Sequence, residues 1–196
     1  QTIEADTKSF SLRYVDWNPA TWLQNNVFHV TEEFSVERTG SHETYRPDLV
    51  LFVNGIPFAV IECKRPSIPD ALEEAISQSV RNQRDDGIPR LFSSVQLVMA
   101  LSKNEAKYAT VGTSAKFWSE WKEDVDAQVA PLLSTLLPPG AKAKMLALRT
   151  PAQRALFDEL EKGRAVTAQD RALYSLARPD RGLELAKEFT LLDAGE

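Results

Sequence analysis

Residues 46–66, RPDLVLFVNGIPFAVIECKRP, restrict what this chain can fold into more than any other segment. The run LVLFV at residues 49–53 is unbroken and apolar, as expected of a strand buried on both faces. Asn54-Gly55 follows, a dipeptide that closes tight hairpins because it tolerates positive φ at both positions. Residues 56–63 then read as a second strand, antiparallel to the first. Asp48 stands at the entrance of the first strand, and Glu62 and Lys64 near the exit of the second. Charges are rarely set at the ends of apolar strands unless they are paired or bind metal. Glu62 and Lys64 are two apart, so both side chains leave on one face. The turn creates a parity problem for Asp48. A strict two-residue turn pairs Val53 with Ile56, and therefore Asp48 with Ile61, which puts Asp48 on the face opposite Glu62. If the two carboxylates share a metal, a three-residue loop or a bulge near Gly55 or Pro57 is required.

Other elements can be placed around this hairpin. Residues 28–36, FHVTEEFSV, are rich in β-branched and aromatic types and read as a strand. Pro66 and Pro69 end the strand region. Leu72, Ile76 and Val80 then recur every four residues, marking the buried face of a helix of about 15 residues. Residues 94–101 are a further buried strand, and residues 107–112 another. From Lys116 onward the character changes. Leu137-Pro138-Pro139-Gly140 breaks the chain, and Thr150-Pro151-Ala152-Gln153 has the form of a capping box with proline at the first helical position. Thr167 with Asp170 repeats that capping pattern. The expected architecture is therefore α/β: a mixed central sheet of about four strands flanked by helices, with a small helical C-terminal unit. The expected division is residues 1–138 for the sheet domain and 139–196 for a helical extension.

The chemistry that suits Asp48, Glu62 and Lys64 is phosphodiester hydrolysis. A hard divalent cation such as Mg²⁺ takes oxygen ligands, typically one or two carboxylates together with water and phosphate oxygens. Asp48 and Glu62 are the candidate carboxylates, and the backbone carbonyl of Cys63 a third protein oxygen. Lys64 would orient the attacking water and stabilise negative charge in the transition state. The plainer alternative is a salt bridge at a sheet edge, because a D-x(13)-E-x-K spacing arises readily by chance.

The longer segment carries more information than that spacing. RPDLVLFVNGIPFAVIECKRP resembles the nuclease segment of type I restriction enzyme R subunits (HsdR), of the PD-(D/E)xK nuclease superfamily. The similarity continues through EEAISQSVRNQ, IPRLFSSVQLVMA and NEAKYATVGT, and upstream through DWNPATWLQNNVFHV, covering residues 16–122. The resemblance implies a restriction-endonuclease-like fold, Asp48, Glu62 and Lys64 as catalytic residues, and Mg²⁺-dependent cleavage of double-stranded DNA. It implies modification (M) and specificity (S) subunits as partners. It also implies an ATP-driven DNA translocase elsewhere in the same full-length chain, the only part to use ATP. The family carries a Gln-x-x-x-Tyr motif on the helix after E-x-K. Gln78 matches the glutamine, but Asn82 stands where the tyrosine would be. That departure weakens any role for position 82, although Gln78 and Asn82 fall side by side on one flank of the stripe set by Leu72 and Ile76, a flank placed to face the active site and touch DNA or a metal-bound water. Gln78 is retained as a catalytic candidate, with a helix-surface amide as the alternative. A further acidic ligand ahead of the first strand, frequent in these nucleases, has no clear counterpart here.

Composition limits the remaining options. Net charge is −5, from 23 basic and 28 acidic residues, which disfavours a strong free-standing nucleic-acid binder. Residues 61–110 hold seven bases and seven acids, against four and eight in residues 1–60, and there Arg65, Arg81, Arg84, Arg90, Lys103 and Lys107 form either a phosphate-binding rim or an ordinary solvated surface. Cys63 is the only cysteine, so no internal disulfide forms, and it reads as a core thiol more readily than as a nucleophile. His29 and His42 read as ordinary strand or loop residues. Trp17, Trp22, Trp118 and Trp121 read as core anchors. There is no P-loop motif. Residues 1–10 lack the pattern of a signal peptide, and the chain opens on Gln1 as a trimmed fragment would. A cytoplasmic location is expected. Two competing functions stay open: a catalytically silent docking or DNA-clamp module, and a repair- or helicase-associated nuclease.

Overall fold

The computed structural model describes residues 13–189, together with the backbone of residues 2–5 and 8–11. The reading of residues 1–10 as free of a leader falls outside the residues whose side chains are described. In chain order the elements are β1 (Thr2–Ala5), β2 (Lys8–Ser11), α1 (Trp22–Asn25), β3 (Phe28–Glu32), β4 (Val36–Glu37), β5 (Thr44–Tyr45), β6 (Leu49–Val53) and β7 (Ile56–Cys63). There follow α2 (Ala71–Asn82), α3 (Pro89–Phe92), β8 (Leu97–Leu101), β9 (Ala106–Ala109), α4 (Asp126–Leu133), α5 (Pro139–Leu146), α6 (Pro151–Leu160) and α7 (Ala168–Ala172). A single π-helical stretch, Leu173–Ala177, leads to α8 (Pro179–Glu188).

The central sheet has five strands in the order β3-β6-β7-β8-β9. All pairings are antiparallel except β7 with β8, which run parallel across the α2 connection. The mixed α/β sheet flanked by helices is the expected class, and its five strands fall on the five segments read as strands, against an expected total of about four. Strand limits differ in places. β3 stops at Glu32 because Glu33 turns to φ 48°, and its N–H bonds the Asp48 carbonyl instead of extending the ladder. β8 starts at Leu97 because the residues before it, Ser94 and Gln96, bond back to the carbonyls of Pro57 and Phe58.

The hairpin contains the bulge that parity requires. Leu49 pairs with Ile61, Val50 with Val60 and Leu51 with Ala59, but Phe52 pairs with Pro57 and Val53 with Ile56. Phe58 is therefore an extra residue, next to Pro57. Asn54 and Gly55 both have positive φ, as a mirror-image two-residue turn demands. Beyond Leu49, the shifted register sets Asp48 across from Glu62.

Each sheet face is covered differently. Val50, Val60, Val98 and Ala100 point to α2 and pack on Leu72, Ala75, Ile76, Phe92 and Trp118. Ile61, Met99 and Leu101 point the other way, onto Ala172 and Leu176. The bulge turns Phe58 to this second face, where it joins Trp22, Val53 and Leu183. The C-terminal region thus behaves as two parts. Residues 168–188 cover the sheet, with Leu176 and Leu183 fully buried. α5 and α6 contribute nothing to the buried clusters among the described residues, and their main tie to the sheet is the Arg149–Glu32 ion pair. Both expected capping boxes form, at Thr150 and Thr167. Trp22 and Trp118 are core anchors as expected and Trp121 is partly buried against Tyr108, whereas Trp17 is exposed and lies outside the buried core. Among the described residues no helix is long and apolar enough to cross a membrane.

Candidate active site

Asp48, Glu62 and Lys64 meet at the end of the β6–β7 hairpin, on the α2 side of the sheet. The face is fixed by the core beneath them, since Val50 and Val60 lie two residues from Asp48 and Glu62 on their strands and both pack under α2. Asp48 Oδ2 accepts the Cys63 N–H at 2.7 Å, which ties the carboxylate to the neighbouring strand. Glu62 has no exposed surface. Its carboxyl lies near enough to that of Asp48 for the two charges to interact.

Helix α2 supplies the rest of the site. Gln78 Nε2 donates to Glu62 Oε2 at 2.8 Å, and Gln78 Oε1 accepts from Lys64 Nζ at 2.5 Å. One planar amide therefore bridges the carboxylate and the ammonium, and those partners leave it only one orientation. Asn82 Nδ2 donates to Glu62 Oε1 at 3.1 Å. Lys64 is anchored at its backbone, where its N–H bonds the Leu101 carbonyl, and its side chain is 16% exposed.

The electrostatics follow from this crowding. Burial pushes the Glu62 carboxyl up to about 8; the charge of Asp48 adds to the rise and that of Lys64 opposes it. Burial likewise raises the Cys63 thiol to about 11, so it is not a thiolate nucleophile at neutral pH. Two interacting carboxyls, one of them buried, call for a neutralising positive charge, either a proton or a cation. Among the described residues no three His, Cys, Asp or Glu side chains gather as a metal cage. The donor set is a carboxylate pair, hard oxygen donors that fit Mg²⁺, an ion that keeps much of its water.

This arrangement can be set beside known proteins. A family model described as "Type I restriction enzyme R protein N terminus" matches residues 3–117. The chain belongs to that family. Among curated relatives, the "Putative type I restriction enzyme MjaIXP endonuclease subunit" of Methanocaldococcus jannaschii is 33% identical over 89 residues, 45% of this chain. The MjaVIIIP counterpart from the same organism is 36% identical over 78 residues, 39% of this chain. This chain spans 8% and 7% of the length of those two relatives, respectively.

The fold of this R-protein N terminus brings together all four residues singled out from its sequence, Asp48, Glu62, Lys64 and Gln78. Gln78 faces inward to the carboxylate and is not a helix-surface amide. The motif comparison gives Asn82 little weight, yet its amide holds the second Glu62 oxygen. The signal is present in its spacing, because a residue four after Gln78 must share the same helix face. Asp16, the buried acid nearest the start of the sheet, has its oxygens occupied by Thr21, Asn25 and the Asn18 N–H, as a local structural hub would. Arg65, Arg81, Arg84, Arg90 and Lys103 are exposed and Lys107 half-buried, and among the described residues none of the six is within ion-pair distance of a carboxylate. Arg81 instead lies 5.8 Å from the centre of the Tyr45 ring, which Arg38 approaches to 5.0 Å. His29 and His42 are exposed.

Proposed function

We propose that this chain is the Mg²⁺-dependent nuclease part of a type I restriction enzyme R subunit, a PD-(D/E)xK domain that cleaves double-stranded DNA. The observation that carries this reading is the face-sharing of Asp48, Glu62 and Lys64. It exists only because of the Phe58 bulge, and a salt bridge at a sheet edge would not need it. Asp48 and Glu62, with the Cys63 carbonyl, would hold the metal. When bound, Mg²⁺ supplies Lewis-acid polarisation of a phosphate oxygen and a more acidic water. The protein's own contribution is positional. Glu62 is held rigidly by two amides, and Gln78 keeps the Lys64 ammonium next to the carboxylate pair. From there Lys64 can orient a water and offset charge as the phosphate crowds toward five-coordination. Unpaired Arg65, Arg84 and Arg90 suit backbone phosphates, which set position without reading sequence. Site choice then belongs to M and S subunits, and delivery of DNA to an ATP-driven translocase in the same full-length chain, all operating in the cytoplasm.

The test is plasmid cleavage by an assembled enzyme carrying Lys64→Ala. Cleavage should fall by at least about 100-fold, the scale of losing one transition-state charge stabiliser. The far-UV circular dichroism of the domain should stay unchanged. Full-rate cleavage by that variant would remove Lys64 from the mechanism and leave a docking module as the better account.

A further inference from the structure

Asn82 closes the last turn of α2 and is 2% exposed. Among the described residues its side chain makes one hydrogen bond, to Glu62 Oε1. A buried amide is costly unless it satisfies a partner. The arrangement therefore makes sense from the side of Glu62, whose second oxygen would otherwise lie buried without a donor. Three further facts fix the reach of that donor. Asn82 lies one helical turn beyond Gln78, so the two amides address the two oxygens of one carboxylate from a single helix face. The Asn82 carbonyl accepts the Ile88 N–H at 2.8 Å. A β-carbon on Gly87 would come within 2.6 Å of that carbonyl oxygen, so the backbone beneath Asn82 is closely seated.

We propose that Asn82 is a positioning residue for the metal site: with Gln78 it clamps both oxygens of Glu62 and fixes the carboxylate for a divalent cation. This rests on the reading of Asp48 and Glu62 as metal ligands. The clamp removes the rotational freedom of the Glu62 side chain before the cation arrives, so less ordering is left for the binding step. Hydrogen bonds to metal-ligating groups commonly set affinity in this way.

The test titrates this chain with Mn²⁺, followed by the electron paramagnetic resonance of the free ion, and needs no cleavage assay. Asn82→Leu keeps volume and removes the donor; it should weaken Mn²⁺ binding about tenfold, the lower end of losses for such outer contacts. Asn82→Ala should weaken it similarly, and it serves if the leucine variant misfolds. Glu62→Gln supplies the reference. In that background Asn82→Leu should cause no further loss, because the two residues act as one unit. Independent, additive losses would mean that Asn82 acts elsewhere and would overturn the proposal. So would unchanged affinity in a folded Asn82→Leu protein. If Glu62→Gln itself binds Mn²⁺ as well as the parent does, the metal site has been misassigned, and that outcome is separate from a failure at Asn82 alone.

Discussion

The Glu62 carboxyl makes the stability of this protein depend on pH. Its folded value is about 8, against an ordinary 4.5, chiefly because it is buried. The folded state therefore holds a proton that the unfolded chain releases. That contribution is complete below about pH 4.5 and is lost as pH rises through 8. Every tenfold gain in proton affinity on folding is worth about 1.4 kcal/mol, so the full swing is on the order of a few kcal/mol. In chelator, the melting temperature should fall between pH 5 and pH 8, and Glu62→Gln should flatten that fall. A parent protein with a level profile over that range would contradict the assignment. Asp48→Asn separates charge from geometry. It keeps an oxygen for the Cys63 N–H and removes the like charge beside Glu62. It should raise the metal-free melting temperature at pH 8 while abolishing cleavage. Asp48→Ala should stabilise less, because it leaves that N–H unpaired. Equal melting temperatures for the two variants would show that the Cys63 hydrogen bond contributes little.

Helix α2 shows how element-level packing transmits to the site. Its end is seated on Gly87, where an added β-carbon would meet the carbonyl oxygens of Asn82 and Arg81 at 2.6 and 2.8 Å. Gly87→Ala should therefore push back the last turn of α2, withdraw Asn82 from Glu62, and cost about 1–3 kcal/mol as an overpacked site. Denaturant unfolding measures the cost, and a wild-type midpoint would show that the loop after α2 absorbs the methyl group. At this scale much is legible in the sequence. Two apolar runs around Asn54-Gly55 specify the hairpin, and the demand that Asp48 share a face with Glu62 requires an extra residue near Pro57; the structure has it at Phe58. The four-residue recurrence of Leu72 and Ile76 specifies α2 and its buried stripe. What cannot be read depends on contacts distant in sequence. The end of β3 at Glu33 reflects a left-handed residue whose N–H bonds the Asp48 carbonyl. Leu176 and Leu183 are apolar at helical spacing, but spacing does not say which surface they will cover. Asn82 departs in identity from the family motif, although its position already indicates where it faces.

For the molecule as a whole, the sheet is sealed on one side by α2 and on the other by residues 168–188. Removing residues 163–196 would uncover Ile61, Met99 and Leu101 together with Val53 and Phe58. Burying one such side chain is worth about 1.5–3 kcal/mol, so the shortened chain should lose cooperative unfolding in circular dichroism. A sharp, undiminished transition would show that those helices are dispensable to the core. Charge sets a second property at this scale. With 28 acids against 23 bases, the DNA affinity that the proposed function requires would rest on a few exposed arginines and should fall steeply with salt. Residues 1–196 alone, with Mg²⁺ near physiological salt, should cut plasmid slowly and without sequence preference. Rapid cutting at one defined sequence would instead identify a self-sufficient endonuclease.

The extra residue at Phe58 also limits how this hairpin can change over time. Every residue from 59 to 63 owes its side to that one insertion, as do the core contacts of Val60 and Ile61. Gaining or losing a single residue between Asp48 and Glu62 would exchange odd and even positions along one strand. It would turn a carboxylate toward Leu176 while leaving the composition almost untouched. A single-residue change of length here is therefore tolerated only with compensation, and an aligned relative with one residue more or fewer in this loop should carry a second irregularity within the same hairpin.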